Sequence, residues 1–225
     1  MKRINVLAFT AATLLFISCG GKSSESTSTS EEKEVAEKQG DVFAVNLETS
    51  KVDWKAFHKG GFAPRWGTLS IKSGEVASEN GELTGGDFVI DMQSLKVDPA
   101  SVTEKDKKST DLEAHLKNAD FFDVEKNPTA EFKITSVTSL ATPPADAVAG
   151  ANKTVSGNLT LQGKTLNVSF PAKVEVVDGN ATLQAKFTVD RSEWGIKFGT
   201  SEANPAEWMI SKDIEIGVDV KATKK

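Results

Sequence analysis

Apolar and polar residues alternate with a period of two through most of the chain after residue 41. In residues 182–190, TLQAKFTVD, one face carries Leu183, Ala185, Phe187 and Val189, and the other face is polar. Because successive side chains of a β-strand point to opposite faces, this pattern is typical of a strand with one buried face. It recurs in residues 51–57, 66–76, 86–97, 130–140, 154–162, 166–176 and 213–222. The alternation predicts an all-β fold of about eight strands.

Short turns connect several of these segments. Residues 79–81, 162–164 and 178–180 supply Gly, Asn, Asp and Gln, which tolerate the positive φ of tight hairpins. Residues 141–152 contain two prolines and predict a longer loop. Long strands with one apolar face would expose pairing edges in an open sheet, and closure removes those edges. The sequence therefore predicts an antiparallel sandwich or a closed barrel.

Residues 109–118, STDLEAHLKN, break the alternation. Thr110 and Glu113 have the spacing of a capping box, and Leu112 and Leu116 lie four residues apart. This predicts a short helix that begins near residue 110. Its narrow apolar stripe suits a plug or a lid better than an independent element.

The first nineteen residues form a unit of their own. A positively charged start precedes the apolar residues 6–17, a run too short for a spanning helix and typical of a secretory signal. Cys19 follows and is the one cysteine of the chain, which excludes an intramolecular disulfide. Its setting resembles the lipobox of bacterial lipoproteins, although Phe16 stands where Leu is usual. The resemblance implies lipidation of Cys19; the alternative is an ordinary cleaved signal that leaves a free thiol.

Composition divides the rest of the chain near residue 40. Residues 20–40 are rich in Ser, Thr, Glu and Lys, with almost nothing apolar to bury, which predicts a disordered tether. Residues 41–225 have the length of one domain with a substantial core. The net charge of -5 argues against a surface that tracks nucleic-acid phosphates.

The chain offers few groups for catalysis or metal binding. His58 and His115 lie on different predicted elements, without His-x-x-x-His spacing or a nearby cysteine, so no metal site is predicted. The acidic residues between positions 111 and 125 suit a capped helix and a turn better than paired catalytic carboxylates. We therefore predict no catalytic residue and no cofactor.

Four stretches match one known family in order and spacing. They are GGDFVIDMQSLKV at 85–97, HLKNADFFDVEKNPTAEF at 115–132, GNLTLQGKTLNVSF at 157–170 and VDRSEWGI at 189–196. Together they resemble the YceI-like family of polyisoprenoid-binding periplasmic proteins over about residues 43–222. Asn127 departs from the family, in which an aromatic residue commonly precedes the proline. The resemblance implies an eight-stranded antiparallel, lipocalin-like β-barrel with one short helix and a long apolar cavity for an isoprenoid chain or a similar amphiphile.

In such a barrel the inward faces predict the residues that line the cavity. Phe121 and Phe122 follow the helix, so one ring can enter the barrel while the other packs beneath the helix; alternatively, both belong to a packed core. The predicted ligand-binding residues are Phe88, Ile90, Phe121, Phe122, Phe132, Ile134, Leu159, Leu161, Val168, Phe170, Phe187 and Val189. The candidates for a headgroup contact at the mouth are Arg65, Lys164 and Arg191. Trp54 and Trp194 are predicted to pack in the core at the barrel ends, and contact with the ligand is the alternative.

These features predict a non-enzymatic protein that binds, sequesters or transports a polyisoprenoid, an isoprenoid quinone or a similar lipid in the bacterial cell envelope. A lipid on Cys19 would hold it on a membrane, and Gly20, where Asp often signals inner-membrane retention, favours the outer membrane. The barrel would then lie in the periplasm or on the cell surface. Two alternatives stay open: a barrel-type isomerase or cyclase assisted by His115, and an envelope assembly module with a filled core. The oligomeric state is open, with a homodimer among the states that the sequence allows.

Overall fold

The computed structural model describes residues 27–201 and 209–225. The predicted signal peptide, Cys19 and the first residues of the predicted tether lie outside these ranges. The described chain consists mainly of strands, with one α-helix, α1, at Ser109–Lys117 and two short 3-10 turns at Pro99–Ser101 and Arg191–Trp194. The strands are β1 (Thr29–Ser30), β2 (Asp41–Val45), β3 (Lys51–His58), β4 (Arg65–Glu79), β5 (Glu82–Val97), β6 (Thr129–Ser139), β7 (Lys153–Leu161), β8 (Lys164–Val177), β9 (Asn180–Asp190) and β10 (Ile210–Lys224).

Eight antiparallel wall positions close into a barrel. Strands β4 to β10 follow one another around the wall, and β3 closes the ring between β10 and β4. Strand β2 continues the β3 position, because it pairs with the same two neighbours beyond a break at residues 46–50. The predicted all-β fold, an eight-stranded antiparallel, lipocalin-like β-barrel with one short helix, is confirmed.

The barrel has a filled end and an open end. The filled end carries the β4–β5 and β8–β9 turns, where Asn80 and Asp178 adopt positive φ as the turn residues predict. Inward side chains pack there without room for a ligand; they include Val76, Leu83, Ile134, Val155, Val168, Ala172, Val174 and Ala181. The open end carries the β3–β4 loop, residues 98–108, α1 and the turn after β9.

The predicted short helix is present, but its capping differs from the prediction. The residue before α1 is Lys108, which makes no side-chain capping bond. Glu113 does not reach back to the helix start. Its carboxylate accepts hydrogen bonds from the Val97 backbone N–H (3.0 Å) and from Lys96 Nζ (3.1 Å). Glu113 therefore fastens α1 to the end of β5, across the open end of the barrel.

Residues 27–40, here called the strap, begin in the wall beside β8 and then run along its outside. The Thr27 N–H donates to the Thr188 carbonyl (2.7 Å), and β1 pairs with β8. Strands β8 and β9 pair with each other only from Ala172 and Ala185 towards the filled end. Nearer the open end the strap lies beside both strands. It then crosses β7, β6 and β5 towards the filled end.

Side-chain amides fix the middle of the strap. Asn158 Nδ2 donates to the Lys33 carbonyl (2.7 Å), and the Lys33 N–H donates to Asn158 Oδ1 (3.0 Å). Asn167 Nδ2 donates to Asn158 Oδ1 (3.0 Å) beneath it. Further along, the Ala36 N–H donates to the Ile134 carbonyl (3.0 Å). At this point the backbone of the strap pairs with the Asn158 side-chain amide, as it would pair with the backbone of a neighbouring strand.

The structure differs from the predicted tether over residues 27–40. Composition measures how much apolar surface a segment can bury, and this segment buries little. Backbone hydrogen bonds and polar side chains hold it instead, and they leave no compositional signal. The strap also packs closely against β5, since a Cβ at Gly85 would lie 3.3 Å from the Ala36 carbonyl oxygen. A glycine at this position lets the strap cross β5 near the wall.

Candidate functional site

A cavity of about 490 Å³ occupies the open half of the barrel. Its wall consists of the inward faces of the strands, which alternate as the sequence predicts. The apolar lining residues include Val52, Trp54, Ala56, Leu69, Ile71, Phe88, Ile90, Met92, Leu95, Ala130, Phe132, Leu159, Leu161, Phe170, Leu183, Phe187, Val189, Ile214, Ile216, Val218 and Val220. This volume lies within the usual range for small-molecule sites. Side chains therefore do not fill the open half of the barrel.

Four phenylalanines form the floor of the cavity. The ring centroids of Phe88 and Phe132 lie 6.4 Å apart, those of Phe132 and Phe170 lie 5.6 Å apart, and those of Phe170 and Phe187 lie 4.1 Å apart in a parallel stack. These residues come from β5, β6, β8 and β9, so the aromatic floor crosses half of the wall. It bounds the cavity on the β5–β8 side, while Leu183 and Val220 line the cavity nearer the filled end on β9 and β10.

Helix α1 covers the open end together with the two phenylalanines that follow it. Leu112 and Leu116 face the cavity, as expected for a lid. Phe121 and Phe122 both line the cavity as well. Phe121 is buried at 5 % exposure, and its ring lies 5.0 Å from the His115 ring in an edge-to-face arrangement. Both phenylalanines therefore join the core and border the cavity at the same time.

The polar lining residues all lie at the open end. They stand at the end of β3, at the start of β4, in residues 98–108, on α1 and just after β9. The set is His58, Arg65, Glu104, Lys107, Lys108, Asp111, His115 and Arg191. A molecule with an apolar tail and a polar head would therefore meet matching surfaces along the cavity.

Ten of the twelve predicted ligand-binding residues line the cavity, and Ile134 and Val168 do not. Both point inward as predicted. However, both are paired with Gly157, and the Phe132 ring lies directly over that glycine. A Cβ at Gly157 would overlap the ring, so the glycine gives Phe132 its place. Ile134 and Val168 consequently belong to the filled core below the aromatic floor.

Two of the three predicted headgroup residues lie at the cavity. Arg65 lines it, donates to the Ser101 carbonyl (2.7 Å) and forms an ion pair with Glu104. Lys164 does not line the cavity. Its Nζ donates instead to the backbone carbonyl of Glu193 (2.5 Å). Lys164 begins β8 just after a hairpin turn, where alternation does not predict direction.

Arg191 also lines the cavity, but its guanidinium is committed to the backbone. It donates to the carbonyls of Ile196 (2.8 Å), Phe198 (2.8 Å), Ser211 (3.0 Å) and Ile210 (3.4 Å). Burial lowers the pKa of the Arg191 guanidinium, and the neighbouring Asp190 carboxylate opposes that shift. An arginine remains protonated even so. Arg191 therefore holds the turn after β9 against the start of β10.

The two tryptophans pack in the core as predicted. Trp194 is 2 % exposed and donates from Nε1 to the Leu159 carbonyl (3.1 Å). Trp54 donates from Nε1 to the Lys96 carbonyl (3.2 Å), and it also lines the cavity. Trp54 thus has both the core role and the alternative, a place at the cavity. Sequence reasoning missed the β10 residues Ile214, Ile216 and Val218. The alternation had assigned these three side chains to an apolar face, so the signal was present.

His115 and Asp120 form the polar pair at the lid. His115 Nε2 lies 3.2 Å from Asp120 Oδ2, and the ring stands between Phe121 and Phe198. Within residues 27–201 and 209–225, no three His, Cys, Asp or Glu side chains come together as metal ligands would. None of the helices in these ranges is both long enough and apolar enough to cross a membrane.

Comparisons with known proteins agree with the fold. A curated protein of Pseudomonas putida, described as UPF0312, is 28 % identical over 174 residues, which cover 75 % of this chain and 79 % of the relative. BcnA of Burkholderia cenocepacia has a similar structure, with a TM-score of 0.55 and 21 % identity over 80 % of this chain and 99 % of BcnA.

A polyisoprenoid-binding domain of Saccharophagus degradans, implicated in plant cell wall breakdown, is also similar. Its TM-score is 0.53, with 10 % identity over 85 % of this chain and 100 % of that domain. The model of the YceI-like domain matches residues 43–222, which comprise nearly the whole barrel. The chain therefore belongs to the YceI-like family.

Proposed function

We propose that this protein binds one long apolar amphiphile, of the polyisoprenoid or isoprenoid-quinone class, and carries or sequesters it without chemical change. The observation that supports the proposal is the division of the cavity into an apolar interior and a polar opening. The tail would lie on the aromatic floor and along β10, and the head would remain between Arg65 and α1. The Saccharophagus degradans relative, described as polyisoprenoid-binding, points to the same ligand class.

The cavity volume limits how much tail can be enclosed. If each methylene-sized group takes about 30 Å³, the share of one water molecule, then 490 Å³ holds roughly 16 such groups, or about three isoprene units. Burial contributes about 0.8 kcal/mol per CH₂ before binding costs are subtracted. A tail of this length therefore suffices for affinity without polar recognition. Longer tails would extend through the open end.

We further propose that lipidated Cys19 anchors the protein in the cell envelope of a bacterium, with the outer membrane favoured. The support is the short apolar leader that ends at Cys19 and the Gly that follows it. One acyl chain binds membranes reversibly, whereas two or more give stable anchoring. The barrel would then store or deliver its ligand at the membrane surface.

The decisive experiment compares two Val→Trp variants by native mass spectrometry. Val218 lines the cavity, while Val177 is 62 % exposed at the filled end. Residues 20–225 would be exported behind a secretory leader, purified without detergent and incubated with prenyl alcohols and quinones. The wild type and Val177→Trp should each carry one ligand mass, and Val218→Trp should carry none while its melting temperature remains similar. Equal ligand loading of both variants would contradict binding in this cavity.

One observation favours a second function, an isomerase or cyclase. His115 lines the cavity and lies beside Asp120, as a general base with an orienting carboxylate would. Against it, both side chains are partly exposed at the lid and no second acid or base faces them from the apolar interior. Conversion of a bound prenyl compound by the wild type, lost in His115→Ala with binding retained, would establish the enzyme and overturn the carrier.

A further inference from the structure

Two exposed phenylalanines lie at the open end. Phe62, in the β3–β4 loop, is 60 % exposed, and Phe198, after the 3-10 turn, is 42 % exposed. The β3–β4 loop meets the start of β10, since the Lys59 N–H donates to the Met209 carbonyl, and the Ile210 N–H donates to the Gly199 carbonyl. Both rings therefore stand on the same rim, beside the cavity mouth. Phenylalanine is among the side chains that bury at the headgroup–acyl boundary of a membrane.

The strap brings the start of the described chain to the same end. Thr27 is bonded to Thr188, which lies two residues before the end of β9, and β9 ends at the mouth. From Cys19 to Thr27 the chain has eight steps, which reach at most about 29 Å when fully extended. An anchor at Cys19 therefore holds the open end within that distance of the bilayer. The filled end lies a barrel length farther from Thr27.

Charge does not select a particular lipid headgroup at this rim. Residues 104–108 read Glu-Lys-Asp-Lys-Lys, so acidic and basic side chains nearly cancel. Arg65 is already paired with Glu104. The rim should therefore contact neutral and anionic bilayers alike.

We propose that the open end of the barrel docks on the bilayer, with Phe62 and Phe198 inserted among the lipid headgroups and the cavity mouth facing the membrane. The proposal deepens the carrier function and rests on the anchor at Cys19. Two rings alone give weak association, but a short tether makes docking intramolecular and raises the effective concentration of the rim at the surface. A ligand then passes between bilayer and cavity without crossing water.

The test measures which end of the barrel touches lipid. The full chain with its leader would be lipidated in a bacterial host and reconstituted into phosphatidylcholine vesicles with brominated acyl chains. A bimane probe would be placed at Thr103→Cys, between the cavity-lining residues Val102 and Glu104, or at Val177→Cys on the filled end. Cys19 is the one native cysteine and its sulfur is blocked by lipid, so labelling is specific.

We expect bromolipid to quench the probe at position 103 several-fold more than the probe at position 177. Phe62→Asp should abolish most of that difference, while Leu47→Asp, an exposed apolar residue away from the rim, should preserve it. Equal quenching at both ends, or persistence of the difference in Phe62→Asp, would overturn the docking proposal alone. Protein that does not float with vesicles would refute the anchor and the docking together. Docked protein that takes up no prenyl alcohol or quinone from the vesicles would refute the carrier function and leave docking intact.

Discussion

Two arginines at the same opening perform different tasks. Arg191 is buried and satisfies four backbone carbonyls of the turn and of β10. Arg65 is only partly buried, with one bond to Ser101 and one ion pair to Glu104. Arg191 therefore shapes the mouth, while Arg65 remains the basic side chain that a headgroup could meet.

Replacement of each arginine should separate stability from ligand selection. Arg191→Met removes the partner of several buried carbonyls, so the free energy of unfolding should fall by about 3 kcal/mol or more. Arg65→Gln loses a partly exposed ion pair, which is worth at most about 1 kcal/mol. The same Arg65 variant should weaken binding of an anionic prenyl phosphate relative to the prenyl alcohol. Urea denaturation and paired ligand titrations check both points; equal loss of stability in the two variants would contradict the distinction.

At the scale of single residues, the sequence predicted well whether a side chain points inward. It predicted poorly how far that side chain lies from the open end of the barrel. Alternation placed Ile134 and Val168 on the inward face, which is where they lie. It could not show that the Phe132 ring covers Gly157 and lies between these two residues and the cavity. The prediction for Lys164 was wrong because the alternation of apolar and polar residues does not extend to the basic residues at the strand ends. Depth and end-of-strand direction arise from tertiary contacts, which the local pattern does not encode.

At the scale of elements, the strap and the lid are the parts that sequence patterns describe least. Residues 109–118 predicted a short helix, but Glu113 proved to bind the end of β5 instead of capping that helix. The strap holds its place by hydrogen bonds and ion pairs. Its far end is fixed where Lys38 Nζ donates to Asp87 and to Glu75 Oε1 (2.5 Å). Polar attachment of this kind depends on partners remote in sequence, so composition could not predict it.

Acid should release the far end of the strap. Hydrogen bonds from Lys225 and Lys38 lower the pKa of Glu75 from 4.5 to about 2. Because the folded-state pKa is depressed, the stabilisation is complete above about pH 4.5 and is lost as the pH falls towards about 2. Hydrogen exchange at residues 36–39, corrected for intrinsic rates, should therefore accelerate in that range.

The variant Glu75→Gln should show the same fast exchange already at neutral pH. Glu82→Gln is the matched control, since Glu82 pairs with Lys153 and not with the strap. The stability lost in Glu75→Gln should stay below about 1 kcal/mol, as expected for a surface ion pair. Unchanged strap protection in Glu75→Gln would show that the backbone bonds alone hold the segment.

At the scale of the whole molecule, the cavity sets a length limit on the ligand. Affinity should rise steeply from two to about three isoprene units, because each added CH₂ is buried, and then level off once roughly 16 carbons fill the interior. Titration with a series of prenyl alcohols of two to six units measures this directly. A steady rise through six units would mean that the aromatic floor opens. No dependence on length would contradict tail burial.

The closed wall also has a consequence for how the protein is made. The ring is joined by β3 and β10, which pair Trp54 with Ile216 from opposite ends of the barrel sequence. Contacts between such distant residues form slowly, because the intervening chain must be ordered first. Until its final strand arrives, a nascent chain exposes the unpaired edges of β3 and β9 and the apolar faces between them. We therefore expect ring closure to be a late step of folding, and we expect the chain to be prone to aggregation until that step is complete.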